Sequence, residues 1–276
     1  MSQDQPFRII STDEFYDYTA KWRSFLDSHP EKLDRCFRYG GFLNYMYLNA
    51  VDVMSLLSSV GTTVIRVSFA VVPVPVHEPT DHVFALVLHG EDSDGNPTSG
   101  YFLAAIPGQT GSVESTCAAD KRITTAAGIS GITATGTATP SFEPLPYDLA
   151  INWTNNWKQF DSANKWVVEI TKELFSTVYS SEEGNYLQGY AYPLKDFLLA
   201  LSPLQAESRK RLTFVFGVHE YYKPDVLPAD AFSQLFDMVI TVEEPDNYIR
   251  METRQPYFDI SMPSPPYHSS NRAHKR

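Results

Sequence analysis

Cysteine is almost absent, with only Cys36 and Cys117 in 276 residues. A disulfide scaffold is therefore excluded, and two lone thiols in a reducing cytosol are the expected state. Long apolar runs are missing too. The longest, Phe69-Ala-Val-Val-Pro-Val-Pro-Val76, falls far short of the roughly 20 residues a membrane helix needs, so no membrane partner is expected. The first residues, Met1-Ser-Gln-Asp-Gln-Pro-Phe-Arg, lack the basic and apolar regions of a signal peptide, and a cytoplasmic location is expected. Positive charge is scarce: 22 Lys and Arg stand against 33 Asp and Glu, for a net charge of −11. Three of the cations, Arg272, Lys275 and Arg276, sit in the last residues. The body is more acidic still and repels phosphate backbones, so nucleic acid is not expected as a partner.

The signatures of common chemistries are lacking as well. No Gly-x-Ser-x-Gly is present, no GxGxxG follows a strand, and Gly108-Gln-Thr-Gly-Ser112 lacks the lysine of a phosphate loop. The seven histidines, at 29, 77, 82, 89, 219, 268 and 274, show no ligand spacing. No metal, cofactor or catalytic residue is assigned from the sequence.

What is present is a globular composition, 43% apolar and 13% aromatic, that can bury a sizeable core, and an internal repeat. Tyr16-Asp-Tyr-Thr-Ala-Lys-Trp22 matches Phe160-Asp-Ser-Ala-Asn-Lys-Trp166 at an offset of 144 residues. The same offset relates Gly40 to Gly184, Asp52 to Asp196 and Leu57-Ser58 to Leu201-Ser202. Farther on, Ile65–Val71 matches Leu212–Val218 at 147, Phe84–Leu88 matches Phe236–Ile240 at 152, and Tyr101-Phe102 matches Tyr257-Phe258 at 156.

Each repeat reads as α-β-α-β-β-β. Ser11 and Glu14 form a capping box before Phe15, Tyr18, Trp22, Phe25 and Leu26 at helical spacing; the second copy starts from Ser162 and continues through Trp166, Ile170, Leu174 and Val178. Strands are predicted over Phe42–Leu48 and Tyr186–Tyr192, and short helices over Val51–Val60 and Leu194–Leu201. Asp52 and Asp196 fall in the first turns of these helices, where a carboxylate meets free N–H groups. Alternation in Val64–Val72 and Leu212–His219 predicts strands with one well-packed face, followed by Val83–His89 and Leu235–Thr241 and by a hairpin into Tyr101–Ile106. The expected fold is α+β: two copies of the unit related by a pseudo-two-fold, with sheets side by side or face to face.

The expected layout is a first unit over 1–107, a flexible Gly/Thr/Ala-rich linker over 108–146, a second unit over 147–263 and a disordered basic tail over 264–276. Shared positions such as Lys21-Trp22 and Lys165-Trp166 read as architecture. Departures between the copies are more informative. Where the first copy has Val72-Pro-Val-Pro75, the second has His219, Glu220, Tyr221 and Tyr222, a titratable pair beside two phenols at a strand end. These four are the candidate ligand- or partner-binding residues.

Two functions follow. The first is a non-enzymatic binding or assembly protein, built from the duplicated unit and rich in tyrosine (16 Tyr, 17 Phe), with a protein or small-molecule partner or a second copy of itself. The alternative is a hydrolase-type enzyme with a site around His219 and Glu220 in the groove between the repeats, covered by the glycine-rich segment.

Overall fold

A computed structural model describes residues 8–28, 32–39, 41–73, 82–106, 147–161, 174–175, 186–201, 210–220, 234–243 and 262–263. The linker over 108–146 and the tail over 264–276 lie outside these residues. The architecture is α+β, with helices packed on antiparallel sheets.

The chain opens with β1 (Arg8–Ile10), which the sequence patterns did not mark, and enters α1 (Thr12–Ser28). The predicted capping box is present. The Glu14 amide donates to Ser11 Oγ at 3.2 Å, and the Ser11 amide donates back to Glu14 Oε2 at 2.9 Å, which occupies two donors that a helix start leaves open. Tyr18, Trp22, Phe25 and Leu26 form the buried stripe. After α2 (Leu33–Cys36) come β2 (Tyr45–Asn49), α3 (Ala50–Leu57), β3 (Val64–Pro73), β4 (His82–Glu91) and β5 (Tyr101–Leu103). The second half supplies α4 (Tyr147–Lys158), β6 (Gly189–Pro193), α5 (Leu194–Ala200), β7 (Arg211–Glu220), β8 (Gln234–Glu243) and β9 (Met262–Pro263).

The strands do not sort by half. One sheet has the order β1-β5-β4-β3-β6-β9 and the other β2-β7-β8. Strand β2 from the first half therefore pairs with β7, and β6 from the second half pairs with β3. The two exchanges share one register. Tyr45 faces Val215 and Asn49 faces Arg211; at the offsets found in the sequence, Gly189 faces Ser68 and Pro193 faces Val64. The hairpins agree as well, with Val64 opposite Glu91 and Arg211 opposite Glu243. Gly189 has a φ of +143°, and a Cβ there would press into the Val67 carbonyl and come within 2.9 Å of Ser68 Cα, so only glycine lets β6 approach β3 this closely.

The sheets pack face to face through aromatic rings. Phe69 meets Phe236 at 5.5 Å between centroids, and Phe84 meets Phe216 at 5.6 Å. Phe37 and Phe175 stack nearly parallel at 5.7 Å. Edge-to-face contacts of this kind add to the burial of the rings. One large apolar cluster joins both halves, from Ile10 to Val242, and a smaller one gathers Ala150, Trp153, Val215 and Val239.

Two tryptophans close the ends of this cluster. Trp22 lies against Phe69, Phe84 and Phe175, and its Nε1 donates to the Leu187 carbonyl at 2.9 Å. Trp157 lies against Phe216, Phe236 and Phe37, and its Nε1 donates to the Leu43 carbonyl at 2.8 Å. The sequence match paired Trp22 with Trp166, which lies outside the described residues. Of the helix expected from Ser162, only Leu174 and Phe175 are described.

Candidate functional site

Of the four residues singled out in the sequence, His219 and Glu220 are the last two of β7, opposite Leu235 and Gln234 of β8. Their side chains, and all of Tyr221 and Tyr222, lie outside the described residues. The corresponding end of β3 is Val72-Pro73, opposite Val83 and His82.

A different polar group stands out on β3 and β4. Arg66 and His89 are cross-strand neighbours, and Glu91 lies diagonally from Arg66. Arg66 grips the Glu91 carboxylate with two bonds, Nε to Oε1 at 2.7 Å and Nη2 to Oε2 at 2.8 Å. His89 Nε2 approaches the same Oε1 at 3.1 Å. All three are largely removed from water; the side chains of His89 and Glu91 are only 3% and 6% exposed, and that of Arg66 is 16% exposed. Burial works against the charge on Glu91, but the bonds from His89 and Arg66, with the guanidinium charge beside them, bring its carboxyl down to about 2.

An ionised carboxylate only accepts hydrogen bonds, so Nε2 carries a proton and donates to Oε1. His89 Nδ1 is buried and makes no hydrogen bond among the described residues. Phe15 meets the imidazole edge-on at 5.3 Å, and Tyr101 lies tilted against it at 5.0 Å. Phe15 in turn stacks on Tyr101 at 4.2 Å. Burial, with Tyr16 and Glu91 nearby, pushes the Tyr101 phenol above its ordinary range. Chemically the cluster is a buried carboxylate, fixed by a guanidinium, that accepts a hydrogen bond from an imidazole and sets its orientation.

Comparison of the two halves of the sequence carries a signal for this group. The places of Arg66 and His89 are taken in the other sheet by the opposed pair Thr213 and Thr241, both buried. This is the same kind of departure between the halves that drew notice to His219.

Two further buried groups are shifted by their surroundings. Asp52 begins α3 and accepts the Asn49 amide at 3.2 Å through Oδ2, while its Oδ1 makes no hydrogen bond among the described residues. Burial raises its carboxyl to about 6, against the lowering effect of that amide. Burial likewise pushes the Cys36 thiol up to about 12, outweighing the charge of Lys32, so this thiol is protonated and unreactive at neutral pH. Among the described residues no group of three or more His, Cys, Asp or Glu could hold a metal ion. None of their helices is long and apolar enough to cross a membrane. No known protein family, no curated protein and no solved structure matches this chain.

Proposed function

We propose that this chain is a cytoplasmic, non-enzymatic binding or assembly protein made by tandem duplication of one α+β unit, with its two copies locked by reciprocal strand exchange. One observation carries the reading: β2 on β7 and β6 on β3 share a register at the offsets that relate the sequences of the halves. The cross-wise indole bonds of Trp22 and Trp157 support it. Each unit lends a strand to the sheet of its twin, which is how two separate copies of an ancestral unit would have held together. The partner is a protein or a small molecule, or a second copy of the chain, and His219, Glu220, Tyr221 and Tyr222 are the proposed contact residues.

The test is to produce residues 1–107 and 147–263 separately and together. Together they are expected to form a one-to-one complex; alone, each is expected to dimerise or fail to fold. A half that is folded and monomeric would overturn the duplicated, exchanged architecture. Light scattering of the full chain over a range of concentrations then separates assembly with itself from binding to another partner.

The alternative is a hydrolase-type enzyme with a site around His219 and Glu220 in the groove between the repeats. Activity on an activated ester, lost in His219→Ala and in Glu220→Ala, would establish it; turnover unchanged in both variants removes it.

A further inference from the structure

We draw no further inference here: the strongest candidate, the buried Arg66–Glu91–His89 cluster where β3 meets β4, belongs to the site already described, and the small Ala191 beside Arg66 offsets the bulk of the cluster, so nothing in the structure shows a space for a ligand on that face.

Discussion

Two rows of side chains, one in each sheet, occupy matching places and are built from opposite materials. In the larger sheet the row across β6, β3 and β4 is Ala191, Arg66 and His89; in the smaller, across β2, β7 and β8, it is Tyr47, Thr213 and Thr241. One row runs small, large, large, and the other large, small, small. Total bulk is roughly kept while its distribution is reversed, the kind of exchange that packed interiors tolerate best. The electrostatics are not kept. The threonine row is uncharged and is closed at its tyrosine end by Arg211, whose guanidinium sits 4.1 Å from the Tyr47 ring. The arginine row carries a buried ion pair that must stay fully partnered. The two sheets thus carry an inert packing layer and a charged cluster at like register positions, and the charged one is more easily broken.

The sharpest break in the comparison is expected at Gly189. The matching place on β2 holds Tyr45, yet Gly189→Ala drives a Cβ into the backbone of β3. A loss of more than about 3 kcal/mol in chemical denaturation, or no folded protein at all, is expected. A tolerated alanine would mean that β6 lies farther from β3.

Next in size is Arg66→Met, which strands the Glu91 carboxylate in the interior at an expected cost of about 3–5 kcal/mol. Combining it with Glu91→Met should recover most of that loss. Thr213→Ala in the other row should cost no more than about 1.5 kcal/mol. Equal effects at the two sites would erase the distinction between the rows.

Acid and base sharpen the contrast further. Asp52 has its folded-state pKa raised to about 6, so its favourable contribution is complete below about pH 4 and disappears as the pH rises through 6. Asp52→Asn should therefore be more stable than the parent at pH 8, by at most about 3 kcal/mol, and nearly equal to it at pH 4. Glu91 behaves oppositely: its contribution is present above about pH 4.5 and is lost as the pH falls through 2. Thermal melts of the parent, Asp52→Asn and Glu91→Gln across pH 3–8 would show the two slopes, and a flat difference between parent and Asp52→Asn would refute the first.

Effects between these are expected at the paired indoles. Trp22→Phe and Trp157→Phe each leave one buried carbonyl without its donor, at about 2 kcal/mol apiece. Costs that agree within about 0.5 kcal/mol fit two equivalent positions; a large disparity would argue against the duplication.

The strands were the most legible part of the sequence. Alternation over Ile65, Val67, Phe69 and Val71, echoed by Leu212, Phe214, Phe216 and Val218, placed β3 and β7 to within a residue or two of their ends. The start of α1 was readable because its cap is local, from Ser11 to Glu14. Which strand would pair with which was not readable, because β2 and β7 lie far apart in the chain and pairing depends on register in space rather than on local pattern. The helix expected from Ser162 lies almost wholly outside the described residues, and α4, which precedes it, was not marked in the sequence. Of the candidate site, His219 and Glu220 were found by comparing the halves. Arg66 and His89 were passed over because each looks like an ordinary strand residue until Glu91 brings them to one point.

The exchange of β2 and β6 also governs how the chain can form. When Tyr45–Asn49 leaves the ribosome, its partner Arg211–Glu220 has yet to be made, so this strand stays without that partner until the second half is synthesised, and a chain cut short before Arg211 keeps an open sheet edge.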